Sequence, residues 1–190
     1  MSVVSVRTDD LPPQPWKNGL GTTRELVAWP RGSAWQVRVS VADIAADAPF
    51  SAYPGVKRWF AVLQGAGVLL RIGDREHRVT RNDAPLAFEG AEPVDCRLID
   101  GPTRDMNLML RAADGRLELA IHGAVWQPAT RLAGLFAVVP GECLAGAERF
   151  VLEEYSLLWF DPAPASLSFT ADARPSGATG WWIAATPYEA

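Results

Sequence analysis

Histidine is nearly missing from this 190-residue chain, with only His77 and His122 present, 45 positions apart. A β-barrel metal centre made of three histidines and a carboxylate on adjacent strands cannot be assembled from two. Neither histidine lies in a Ser/His/Asp or Cys/His arrangement, and no GxSxG elbow occurs. His77 reads as an exposed strand residue and His122 as a structural one. Cysteine is as scarce: Cys96 and Cys143 have no CxxC partner, which excludes a disulfide framework and fits a reducing cytoplasm. No apolar run approaches the roughly 18–20 residues that cross a bilayer, and Met1 to Asp10 lacks a basic start followed by an apolar stretch, so neither membrane insertion nor secretion is expected. Basic excess is absent too. The net charge is −4 and the pI about 5.2, whereas a phosphate-binding surface needs a basic domain or stripe, so nucleic acid is not an expected partner.

What is plentiful is punctuation. Sixteen glycines and 15 prolines are spread evenly, too often for long helices and at a spacing that suits short strands, so the chain reads as all-β. Hydrophobic residues at 48% and charged residues at 21% are those of a folded domain. Trp35 to Ala42 alternates, with Trp35, Val37, Val39 and Val41 on one face and Gln36, Arg38, Ser40 and Ala42 on the other. Arg58 to Gln64, Val68 to Ile72 and Glu76 to Val79 form a strand and hairpin sequence broken at Gly65 to Gly67 and Gly73-Asp74, and Leu86 to Phe88 follows as a short strand. Asp105 to Arg111 alternates again, placing Asp105, Asn107 and Met109 on one face.

Trp59 to Gly65 is echoed 76 residues later by Leu135 to Gly141, four of seven positions being identical, and Leu86-Ala87-Phe88 by Leu158-Trp159-Phe160. Two joined small barrels are the expected arrangement, 1–111 carrying the motifs and 112–190 a degenerate second half. The first holds 14 basic and 13 acidic residues, the second 4 and 9. The acidic second half reads as a supporting or pairing element with a solvated surface.

Three clusters carry the chemistry. In Trp16 to Glu25 a glycine turn runs into an apolar strand, without the following helix and Lys-Ser/Thr pair of a phosphate loop. Arg24 and Glu25 are strand neighbours, so at most one of them faces the interior. Ala48 to Arg58 is an aromatic, proline-bounded loop ending in a cationic pair, suited either to walling a pocket or to plugging a barrel. Asp100 to Asn107 is a turn followed by polar residues that need partners if buried, so Asp105 either holds an arginine or faces a ligand.

These residues resemble a known family. WKNGxGxTRE at Trp16–Glu25, the set Trp35, Arg38 and Ser40, PFSxxPG at Pro49–Gly55 and DGPTxDxN at Asp100–Asn107 occur in the order and spacing of the HutD/Ves family. Leu20, Ala48 and Tyr53 depart from the residues many members have there. The resemblance implies a duplicated cupin-type jelly roll without the metal histidines, associated with bacterial histidine utilisation in a regulatory or ligand-sensing part.

The expected function is metal-free and cofactor-free binding of a small anion in the cytoplasm, a histidine-degradation intermediate of the urocanate or formylglutamate type. Arg38 or Arg24 takes the carboxylate. The expected ligand-binding set is Lys17, Asn18, Arg24, Glu25, Arg38, Ser40, Phe50, Ser51, Arg58, Asp105 and Asn107. An alternative is a metal-free isomerase or hydrolase with Glu25 or Asp105 as general base, which nearby arginines disfavour by lowering carboxylate pKa values. A third reading is an interaction protein whose polar cluster is purely structural. A homodimer is left open.

Overall fold

In the computed structural model, which describes residues 2–173 and 177–188, the alternating segments are strands within two residues of their expected bounds. A first strand, β1 (Ser2–Arg7), and a 3-10 turn (Thr8–Asp10) precede β2 (Gln14–Pro15), β3 (Gly21–Trp29), β4 (Val37–Ile44), β5 (Ala48–Pro49) and β6 (Val56–Gln64). Then come β7 (Val68–Ile72), β8 (Arg75–Val79), β9 (Leu86–Glu89), β10 (Val94–Leu98) and β11 (Thr103–Arg111). The second half continues with β12 (Ala113–Leu119), β13 (Val125–Trp126), β14 (Leu132–Ala137) and β15 (Gly141–Ala145). It ends with β16 (Glu148–Leu152), β17 (Ser156–Asp161), β18 (Leu167–Ala171) and β19 (Gly180–Pro187). Among the described residues no helix is long and apolar enough to cross a membrane.

The eight strands β4 to β11 pair in the orders β4-β11-β6-β9 and β5-β10-β7-β8. Numbered one to eight, these are 1-8-3-6 and 2-7-4-5, the two sheets of a jelly roll. Strands β12 to β19 pair as β12-β19-β14-β17 and β13-β18-β15-β16, which is the same topology repeated. All pairings are antiparallel. In the N-terminal roll Ala42, Phe60 and Val62 of one sheet share a core cluster with Leu70, Val94 and Cys96 of the other. In the C-terminal roll Leu135, Phe160 and Trp182 meet Cys143, Leu167 and Phe169 in the same way. Both free cysteines are therefore core residues, and burial pushes each thiol up to about 12.

Two expectations about organisation need correction. The chain divides into Leu11–Ala112 and a unit that joins the N-terminal segment, through Asp10, to the chain from Ala113 onward, not at 111/112 with both ends kept local. The cause is pairing: β1 lies along β17 from Ser2↔Asp161 to Arg7↔Ser156, and Thr8 donates its backbone N–H and its hydroxyl to the Tyr155 carbonyl at 2.9 and 2.6 Å. The echo of Trp59–Gly65 in Leu135–Gly141 is also out of register. It sets Phe60 against Phe136, yet Phe60 and Leu135 are the residues that face the two cores. Side chains alternate with period two, so a match that slips by one residue superposes opposite faces. The Leu86–Phe88 echo keeps its parity, since Phe88 and Phe160 both point inward.

Candidate functional site

Trp16 is fixed by the glycine motif around it. Its backbone N–H donates to the Gly21 carbonyl at 2.9 Å, and Gly19, at φ +73°, returns a bond to the Trp16 carbonyl at 3.0 Å. A Cβ on Gly21 would stand 3.1 Å from the Trp16 ring and 2.8 Å from the Asp43 carbonyl, so only glycine lets the indole lie there. The Trp16 indole N–H then donates to the Thr23 hydroxyl at 2.8 Å. Asn18 accepts the Leu20 N–H at 3.1 Å and closes the turn. The motif thus holds Trp16, Lys17 and Asn18 against the wall of a cavity of about 610 Å³ inside the N-terminal roll.

The rest of that wall comes from the inner face of the six-stranded sheet β2-β3-β4-β11-β6-β9 and from the aromatic loop. Register fixes which residues point in. Asn107 pairs with Ser40 and Phe60, and Met109 with Arg38 and Arg58, so these six side chains share one face. Phe50, Ser51 and Tyr53 line the cavity from the loop. That loop is tied down by Gly90, whose carbonyl accepts the Tyr53 N–H at 2.6 Å while its own N–H donates to Val56 at 2.6 Å. A Cβ there would meet the Tyr53 and Val56 oxygens at 2.6 and 2.7 Å.

Arg58 is the centre of this arrangement. It is 5% exposed, and its guanidinium lies 5.2, 5.7 and 5.0 Å from the rings of Phe50, Tyr53 and Phe88. One Nη donates to Asn107 Oδ1 at 2.9 Å, the other makes a long contact of 3.5 Å with the Ser51 carbonyl, and Nε has no partner among the described residues. No carboxylate among them lies within ion-pair distance of it. Burial lowers its pKa to about 10, which leaves it charged at neutral pH. Arg38 is different: its Nε donates to Glu25 Oε2 at 2.7 Å. The charged side chains on the cavity wall are Lys17, Arg38 and Arg58, all cationic.

Eight of the expected residues line the cavity: Lys17, Asn18, Arg38, Ser40, Phe50, Ser51, Arg58 and Asn107. Three do not. Arg24 pairs with Val41, on the face opposite the cavity, and joins Arg104 on the Asp43 carboxylate. Burial of Asp43 works against ionisation, but hydrogen bonds from Arg104 and Arg24 outweigh it and hold its pKa below the usual value. Glu25 pairs with Ser40, on the cavity side, and reaches the wall only through Arg38. Asp105 lies one row deeper, between Ala42 and Val62. Its Oδ2 accepts the Thr103 hydroxyl at 2.7 Å, its Oδ1 has no partner among the described residues, and burial raises its pKa to about 8. Sequence reasoning missed Phe88, the third ring against Arg58. Its signal was inward parity on a short strand, but the pairing Arg58↔Phe88 is set by register alone.

Among the described residues no group of three or more His, Cys, Asp or Glu is placed to hold a metal ion, and His122 instead accepts the Ala171 N–H at 3.2 Å. The family model for HutD matches residues 8–176. The chain belongs to the HutD family. An uncharacterised 21.2 kDa protein in the hutC 3′ region of Pseudomonas putida is 37% identical over 108 residues, which are 55% of this chain and 56% of that relative, so the match spans about half the length of the curated relative. Two solved structures match over 99% of this chain and all of theirs: a conserved protein of unknown function from Pseudomonas aeruginosa PAO1, at 26% identity and TM-score 0.87, and HutD from Pseudomonas fluorescens SBW25, at 28% and 0.84. In this HutD-family chain all four motifs that carry the resemblance fall in the N-terminal half.

Proposed function

We propose that the N-terminal roll is a receptor for a small organic anion, with Arg58 as the group that takes its carboxylate. One observation carries this reading: a buried guanidinium, charged at neutral pH and without a counter-ion among the described residues, faces a cavity whose charged lining is entirely cationic. An isolated buried charge is costly unless something pairs with it, and a carboxylate is the natural complement of an arginine fork. Asn107 and the three rings hold the guanidinium in place, so little further ordering is needed on binding. The rings also exclude water, which strengthens the charge-assisted bonds.

The family association with histidine utilisation supplies the candidate ligands, urocanate and N-formylglutamate, and the P. putida relative lies in a hutC 3′ region. Such binding would suit a sensing or modulating part in that catabolism. The enzymatic alternative has less support, because Asp105 is off the cavity wall and Glu25 is engaged by Arg38. Titration calorimetry with both compounds tests the reading. The wild type should bind at least one of them. Arg58→Met should weaken that ligand by at least about 100-fold, and Arg58→Lys, which keeps the charge and loses the fork, by about tenfold. Absence of heat with both ligands, or unchanged affinity in Arg58→Met, overturns it.

A further inference from the structure

We infer that Glu25 is a specificity residue that restricts this site to ligands offering a single carboxylate, by occupying Arg38. The inference rests on the anion-receptor reading above. Arg38 on β4 and Arg58 on β6 both flank Met109 of the strand between them, on the same face of the sheet. Two interstrand spacings separate their backbones, roughly 10 Å. Two guanidinium groups at that separation, with Asn107 and Ser40 beside them, would by themselves favour a molecule with a carboxylate at each end. Glu25 changes the charge count. Its Oε2 accepts from Arg38 Nε at 2.7 Å, so that among the described residues Arg58 is the cation deep in the cavity without a carboxylate partner, while Lys17 is exposed.

Local backbone geometry supports a dedicated position for Glu25. It pairs with Ser40, and the register of β3 on β4 shifts immediately after it, between Glu25 and Val27. Such a bulge marks a place where one side chain is re-aimed relative to its neighbours. A second ligand carboxylate approaching Arg38 would meet the Glu25 carboxylate and have to displace it or sit beside a like charge. This is discrimination by a repulsive element, and it costs a monocarboxylate little.

The test compares wild type, Glu25→Gln and the double variant Glu25→Gln/Arg38→Gln, each titrated with urocanate, which has one carboxylate, and N-formylglutamate, which has two. The quantity read is the ratio of the two dissociation constants, in which shape differences between the ligands cancel from variant to variant. Glu25→Gln should shift that ratio toward N-formylglutamate by at least about tenfold, and the double variant should return it to within about threefold of wild type. Appearance of N-formylglutamate binding where the wild type shows none counts as the same result. An unchanged ratio in Glu25→Gln, or a wild type that binds N-formylglutamate and not urocanate, overturns the inference while leaving Arg58 as the receptor. A wild type that binds neither ligand overturns both.

Discussion

The two jelly rolls of this chain have the same strand order and opposite interiors. Register aligns them row by row, with Phe88 and Phe160 as the common mark. In the N-terminal roll the row runs Arg38, Met109, Arg58, Phe88; in the C-terminal roll the matching row is Arg116, Ala184, Ala133, Phe160. One row deeper, Ser40, Asn107, Phe60 and Leu86 correspond to Glu118, Trp182, Leu135 and Leu158. Alanine thus stands in the place of the buried arginine, and tryptophan in the place of the asparagine that holds it. Trp182 also stacks on Trp126, with centroids 4.9 Å apart and planes within 5°. The topology permits a cavity and does not make one; whether the space is filled or left cationic depends on two or three side chains.

The largest expected effect exchanges those side chains. Ala133→Arg forces a long cation into a fully buried position, and should lower stability by about 4 kcal/mol or more through overpacking and the burial of a charge. Arg58→Met removes such a charge, and its unfolding free energy should stay level or rise, by up to about 2 kcal/mol. Urea unfolding of both variants decides whether the rolls differ in this way. Equal losses would mean that Arg58 is part of the scaffold of its roll.

How much of this was legible beforehand follows from range. Period-two alternation correctly put Arg38 and Ser40 together on one face of their strand, and Asp105, Asn107 and Met109 together on one face of theirs, because alternation is local. It could not rank the arginines, since Arg24, Arg38 and Arg58 all sit in strands and only long-range register reveals which has a carboxylate partner. Arg24 finds Asp43, 19 residues on; Arg38 finds Glu25, 13 back; Arg58 finds neither. The docking of β1 onto β17 is likewise invisible to local pattern. The off-register echo arose because Phe60 and Phe136 are both fully buried, so identity of residue type hid opposite direction.

Asp105 provides the next comparison, because its counterpart in the aligned row is Gly180. A carboxyl whose folded pKa is raised to about 8 binds a proton more tightly when folded than when unfolded. Its stabilising contribution is therefore complete at acid pH, below the unfolded value of about 3.9, and is lost as pH rises toward 8. Asp105→Asn, which still accepts from Thr103, should match wild type near pH 4 and exceed it by roughly 2–4 kcal/mol at pH 9. Unfolding curves at the two pH values check this, and parallel behaviour would show that Asp105 reaches a partner or solvent.

The smallest effect separates a satisfied ion pair from one that guards a site. Glu118, in the place of Ser40, accepts Arg116 Nε at 2.7 Å and the Trp126 indole N–H, and although burial opposes ionisation these bonds keep its pKa below the usual value. The stabilisation is therefore present above about pH 4.3 and disappears as pH falls through the folded value. Both side chains are about two-fifths exposed, so screening limits the contribution. Glu118→Gln should cost about 0.5–1 kcal/mol at pH 7 in low salt, less in high salt, and nothing near pH 3. Glu25→Gln should be as mild toward folding and yet change ligand preference, because its arginine borders an open cavity while Arg116 borders stacked tryptophans. A loss in Glu118→Gln that persists at pH 3 would instead assign the Glu118 contribution to packing under Trp126, and the likeness between the two pairs would then end at their corresponding arginines, Arg38 and Arg116.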